Sequence, residues 1–68
     1  MNTKIIDINY RYYVIITYNN DITRLYRLID RNNDDKTIVE SFNRDSFLIK
    51  ASKHIKITSK TECLIASI

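Results

Sequence analysis

Cys63 and His54 are the only thiol and the only imidazole in this chain of 68 residues. A Cys–His pair works as a nucleophile only when the imidazole hydrogen-bonds the sulfur and draws off its proton. If residues 54–68 form a hairpin, Cys63 lies opposite Ile57 or Thr58 and His54 falls near Ala66, out of reach. Cys63 is then expected as a buried structural thiol, and His54, beside Lys53, as a surface imidazole. Asp45, Ser46 and His54 supply the residue types of a serine triad without any spacing that implies one. Asp34 and Asp35 are adjacent carboxylates, but calcium prefers about six to eight oxygens, so a solvated loop is the simpler expectation. One cysteine and one histidine cannot complete a four-ligand zinc site. No catalytic residue, metal or cofactor is expected.

The chain has no glycine and no proline. Phosphate-cradling loops and nucleophile elbows need glycine to bring backbone close to a ligand. Every turn must instead be made by Asn, Asp or Ser, whose short side chains hydrogen-bond the local backbone.

What remains is suited to binding. Five tyrosines stand among the 68 residues, and Tyr and Arg are the side chains that most often anchor protein interfaces. Tyr10 and Tyr13 flank Arg11 and would point to opposite faces of a strand, leaving at least one accessible. Arg24, Arg27 and Arg31 would form one stripe on a helix, at about 200°, 140° and 180°. Tyr10, Arg11, Tyr13, Arg24, Arg27 and Arg31 are the expected contact residues. Arginine can also grip phosphate in two-pronged fashion while tyrosine stacks on unpaired bases. However, the net charge is only +3, and Asp21 and Asp30 bracket the arginine stripe.

The elements that would position these residues follow from the polar punctuation. Asn19-Asn20-Asp21, Asn32 to Asp35, Asn43-Arg44-Asp45, Ser52-Lys53 and Ser59 to Glu62 recur at the spacing of an antiparallel sheet. Ile6, Ile8, Tyr10, Tyr12, Val14, Ile16 and Tyr18 alternate without a break, as a strand with one covered face requires. Extended, that segment would reach about 43 Å, too long for a chain whose radius of gyration should be about 11 Å. It must bend or turn at Asn9–Arg11, with a three-residue loop conserving the parity. Tyr12–Tyr18 is expected as a central strand.

Asp21–Arg31 separates apolar Ile22, Leu25, Tyr26, Leu28 and Ile29 from polar residues at helical spacing, so a helix capped by Asn20 is expected, with a strand as the competitor. Lys36–Phe42, Phe47–Ala51, His54–Thr58 and Cys63–Ile68 read as strands, the last two joined through Ser59–Glu62. A short helix at Ser46–Lys53, capped by Asp45, competes. The expected fold is α+β, a small antiparallel sheet of about five strands with one helix near residues 21–31; the alternative is an all-β small barrel. The expected core is Ile6, Ile8, Tyr12, Val14, Ile16, Ile22, Leu25, Ile29, Ile38, Phe47, Ile49, Ile55, Ile57 and Leu64.

Glu40-Ser41-Phe42-Asn43, leading into Phe47-Leu48-Ile49-Lys50, resembles the middle strands of Sm-like RNA chaperones over roughly a quarter of the chain. The glycine at which that family's long strand bends is missing, and no RNA-binding residue carries over.

A chain this short forms one domain with a small core, and a second copy is a natural source of added stability. No apolar run approaches the roughly 18 residues of a membrane span, no secretory leader is visible, and a lone thiol suits a reducing compartment; a cytoplasmic location is expected. Ile, Asn, Lys and Tyr supply 31 of 68 residues, which suggests AT-rich coding. Together these features point to a non-enzymatic accessory protein of a phage or mobile element. It would bind and block a host protein or defence complex. The alternative is a small nucleic-acid-binding regulator using the same Arg/Tyr surface. A homodimer or higher oligomer fits either.

Overall fold

The alternation over residues 6–18 produces a hairpin. In the computed structural model, which describes residues 2–18 and 23–66, β1 (Asn2–Asp7) pairs antiparallel with β2 (Tyr12–Tyr18), Ile6 opposite Val14 and Lys4 opposite Ile16. The tip is Asn9-Tyr10-Arg11, closed by the Ile8 N–H donating to the Tyr12 carbonyl at 3.2 Å. A tip with an odd number of residues keeps even-numbered side chains on one face through the turn.

β3 (Arg24–Asp30) pairs antiparallel with β2, and β4 (Lys36–Ser41) with β3, giving an open sheet in the order β1-β2-β3-β4. Residues 24–30 are therefore a strand and not the expected helix; Asn20, its expected cap, and Ile22, an expected core residue, lie outside the described residues. Two causes favour the strand. A central β2 has backbone donors and acceptors on both edges, and β3 satisfies the second set. A sheet covered on one side also accommodates mixed faces: Tyr26 and Leu28 point into the core while Leu25 and Arg27 point away.

The β3–β4 connection is a 3₁₀ turn at Arg31–Asn33, capped by Asp30, whose Oδ1 accepts from the Asn32 N–H at 3.0 Å. Asp34 and Asp35 then both adopt φ of 54°. This left-handed conformation favours glycine; lacking one, the chain uses aspartate, which tolerates it better than most residues. Leu28 faces Val39 but Ile29 faces Thr37, so Ile38 is an extra residue in a β-bulge.

The C-terminal third also departs from the strands expected there. Residues 44–51 form α1 (Arg44–Ala51), and residues 59–66 form α2 (Ser59–Ala66). Asn43, and not Asp45, caps α1: its Oδ1 accepts from the Ser46 N–H at 2.9 Å. Thr58 serves α2, its Oγ1 accepting from the Thr61 N–H at 3.2 Å. His54–Thr58 is an irregular connector, and the expected final hairpin is absent among the described residues. The stretch resembling Sm-like strands runs from β4 into α1, so that likeness does not extend to the fold. The outcome is α+β with four strands and two helices, in an open sheet and not a barrel.

Both helices and the connector between them cover the face made by Ile6, Val14, Ile16, Tyr26, Leu28 and Val39, contributing Phe47, Ala51, Ile55 and Ile65 to the core. Phe47, Ala51 and Ile55 recur every four residues, as one helical face extended into the connector. Phe47 is fully buried and stacks on Tyr26 with ring centroids 5.7 Å apart, which ties α1 to β3. Lys4 Nζ donates to the Leu64 carbonyl at 3.3 Å, tying α2 to β1. Ile8, Tyr12, Ile38 and Ile57 pack half-buried around this core, whereas Ile49 and Leu64, expected inside, are exposed. Ile29 is only 3% exposed yet lies outside the cluster; it points to the face the helices leave open, as does Leu25.

Candidate protein-binding surface

Antiparallel topology brings the β1–β2 tip and the β3–β4 turn to the same end of the sheet. Tyr10, Arg11, Tyr13 and Arg31 meet there. The strand geometry that joins these four separates the other two. Arg27 lies mid-strand on the open face, while Arg24 is near the opposite end with its guanidinium 5.5 Å from the centre of the Tyr18 ring. The arginine stripe expected of a helix does not form.

Tyr10 is 86% exposed, but its loop is firmly braced. Asn9 Oδ1 accepts from the backbone N–H groups of Arg11 and Tyr12, each at 2.8 Å, an Asx turn that substitutes for the missing glycine. Arg31 Nη1 donates to the Asn9 carbonyl at 2.7 Å, and the Arg31 N–H donates to the Arg11 carbonyl at 2.7 Å. The tip is thus hydrogen-bonded to itself and to the start of the neighbouring turn.

Arg11 anchors the other side. Its Nε and Nη2 donate to Oδ1 and Oδ2 of Asp30, both at 3.1 Å, the two-pronged geometry that makes Arg–carboxylate pairs strong. Asp30 is 4% exposed, the one buried charged residue among the described residues. The Arg11 hydrogen bonds hold its carboxyl below the usual carboxylate range, opposed by desolvation and assisted by the Asn32 N–H and the charges of Arg11 and His54. Reciprocally, the bond to Asp30 raises the Arg11 pKa. The Arg11 guanidinium also lies 4.9 Å from the centre of the Tyr12 ring. Arg11 therefore braces the loop more than it offers itself to a partner.

Arg31 plays a similar part on the open face. It hydrogen-bonds Asp7 Oδ1 and covers the Tyr13 ring at 4.5 Å. Tyr13 is half-buried beneath it, leaving Tyr10 as the aromatic ring presented freely at this end. Asn9, Asp7 and Asp30 were missed from sequence. Asn9 carries a visible signal, a turn-forming Asn just ahead of the strand, whereas the pairings of Asp7 and Asp30 join residues far apart in the chain.

Elsewhere, Cys63 is exposed on α2 and not buried as expected; His54 is exposed, as expected. Ser46 sits in the first turn of α1 and His54 three residues beyond its end, with no hydrogen bond between them. Among the described residues, no group of His, Cys, Asp and Glu could hold a metal ion, and no helix is long and apolar enough to cross a membrane. A depression of about 180 Å³ lined by Tyr26, Asn43, Arg44 and Asp45 falls below the roughly 300 Å³ at which small-molecule pockets begin.

Charge is unevenly divided. Residues 1–43 carry six basic and six acidic side chains, so the net +3 resides entirely in residues 44–68. At the loop end, Arg11, Arg31 and Lys36 face four carboxylates, Asp7, Asp30, Asp34 and Asp35. The exposed lysines 50, 53, 56 and 60 belong to the helical side, with no carboxylate between Asp45 and Glu62. No family model matches the chain, and neither does any curated protein or solved structure.

Proposed function

We propose that this chain works by stoichiometric contact with another protein, without chemistry of its own, and that Tyr10 is its anchor. One observation carries the proposal: a tyrosine ring stands free in solvent on a loop that is otherwise fully braced. An aromatic side chain on a pre-ordered loop loses little entropy when it enters a partner's pocket. Arg11 and Arg31 hold the loop in shape, and their charges are already matched by Asp30 and Asp7. That balance, with Asp34 and Asp35 nearby, makes this end a poor match for phosphate. Small size, Tyr/Arg enrichment and the AT-rich coding bias support an accessory protein of a phage or mobile element that occupies the surface of a host protein or defence complex, acting in the host cytoplasm.

Affinity purification from the host, with wild type and Tyr10→Ala as paired baits, tests this. The partner should be enriched by wild type and weakened by about 2 kcal/mol or more in the variant, with the melting temperature unchanged. Equal recovery by both baits overturns the assignment of Tyr10.

The exposed lysines on the helical side favour a second reading, in which the chain holds a nucleic-acid backbone. That surface differs from the expected Arg/Tyr surface. Binding of this kind would weaken steeply with salt as counterions are released, whereas the Tyr10 contact would be largely insensitive to it. A gel shift with random DNA and RNA at two salt concentrations separates the two.

A further inference from the structure

The open face of the sheet meets the Tyr10 loop only at its edge, through Arg31 and Asp7. Its register defines three rungs across the strands: Asp7–Tyr13–Ile29–Thr37, Ile5–Ile15–Arg27–Glu40, and Thr3–Thr17–Leu25. Both helices pack on the other face. Ile5 is 62% exposed, and Ile15 and Leu25 are half-buried with no layer above them among the described residues. The middle rung is divided, apolar on β1 and β2, charged on β3 and β4. Arg27 and Glu40 are cross-strand neighbours, yet no ion pair joins them. Arg27 Nη2 reaches only the Thr17 hydroxyl at 3.5 Å, and Arg27 Nε is buried without a hydrogen-bond partner. A desolvated donor lacking an acceptor is costly, and an exposed carboxylate stands one strand away.

We infer that this face is covered by a second copy of the chain. The middle rung matches itself under a two-fold axis laid along it. Ile5 and Ile15 then rest on their counterparts, as do Arg27 and Glu40, and each Arg27 turns diagonally across one strand spacing, about 4.8 Å, to Glu40 of the other copy. The contact is reciprocal, as a two-fold interface demands, and each charge gains one opposite partner from the other copy. The first rung lies over the third, placing Tyr13 and its Arg31 cover against the small side chains Thr3 and Thr17. Face-to-face sheets pack about 10 Å apart, a distance that isoleucine and arginine side chains fill. The face measures about 19 by 20 Å from strand spacing and rise. With side-chain relief, the two copies together approach the roughly 1,000 Å² that a specific interface requires. The charges on the face also argue for a copy over an unrelated protein: Arg31 and Asp7 are already paired with each other, while Arg27 and Glu40, in no ion pair among the described residues, each find their opposite in a second copy.

Sedimentation velocity over a wide concentration range tests the inference with two charge reversals, Arg27→Glu and Glu40→Arg. Wild type should rise to twice the 8.1 kDa chain mass. Each variant alone should stay monomeric, because the diagonal Arg–Glu pairs are lost and all four charges at the centre become alike. Mixed in equal amounts, the two variants should recover the doubled mass, because every contact between them is again Arg with Glu. Mixing leaves the repulsion within each variant chain unchanged, so recovery reports contact between chains. Ile5→Glu, at an exposed position, should also remain monomeric and guards against misfolding of the charge reversals. A monomeric wild type at every concentration, or a mixture of folded variants that stays monomeric, overturns the inference. Tyr10→Ala should dimerise normally, so the Tyr10 contact and the sheet contact fail or stand separately.

Discussion

Arg11 and Asp30 are joined by two parallel hydrogen bonds of 3.1 Å each, between a loop tip and the end of a strand 19 residues away. The pair links the loop that carries Tyr10 to a nearly buried carboxylate, so the stability of the fold and the shape of the proposed contact depend on one ionised group.

That dependence has a pH signature. The Asp30 carboxyl ionises below its ordinary range in the folded chain, chiefly because of Arg11. A depressed carboxyl contributes stability that is present above its unfolded pKa, about 4, and is lost as pH falls toward the folded value. Acid titration of thermal stability should therefore show a loss beginning near that pH. Asp30→Asn should be less stable at neutral pH and should show a flatter acid limb. Parallel acid limbs for wild type and variant would count against this role for Asp30.

Phe47 is the fully buried ring that couples α1 to β3 through Tyr26. Phe47→Ala should cost about 3–5 kcal/mol, comparable to the whole stability of about 3–5 kcal/mol that a core of this size supplies. Urea denaturation, or its absence because the variant is already unfolded, measures this. Asn43→Ala, which removes only the α1 cap, should cost about 1 kcal/mol and leave the chain folded.

Asp34 and Asp35 hold left-handed backbone without glycine. Asp34→Gly should relieve strain of about 1–2 kcal/mol against an entropic cost of roughly 0.5–1 kcal/mol, for a small net gain in melting temperature. A marked loss would mean that the aspartate side chain has a structural duty there.

Cys63 should react with a thiol reagent in the native protein at nearly the rate of the unfolded chain, because α2 turns it outward. Strong protection would restore the buried, strand-borne cysteine read from the sequence.

Legibility of the sequence followed the length of its patterns. Seven alternating residues from Ile6 to Tyr18 showed that the chain bends or turns at Asn9–Arg11, and of the two readings the structure has the three-residue tip. Arg24–Asp30 misled because Leu25, Tyr26, Leu28 and Ile29 share one side at helical spacing, whereas the strand divides them, Tyr26 and Leu28 to the core and Leu25 and Ile29 to the open face. The apparent conflict of Arg27 with a strand disappears once one sheet face is open. Phe47, Ala51 and Ile55 were spaced for a helix, but Phe47–Ala51 is short enough to pass for an apolar strand. Ser59, three residues ahead of Glu62 and followed by an apolar run, was a helix-start signal obscured by the regular turn spacing. At the candidate surface, Tyr10 was recoverable as a tyrosine beside a turn. That Arg11 and Arg31 serve as braces was not, because their partners Asp30 and Asp7 are set by strand register and not by proximity in the chain.

The uneven division of charge makes the molecule a small electric dipole, neutral along its strands and cationic over its helices. Near any negatively charged matrix it will settle helices-down, turning the sheet toward solvent. In a sheet-to-sheet pair both outer layers would be cationic, so the assembly could adhere by either side while its two tyrosine-bearing tips stay at the rim.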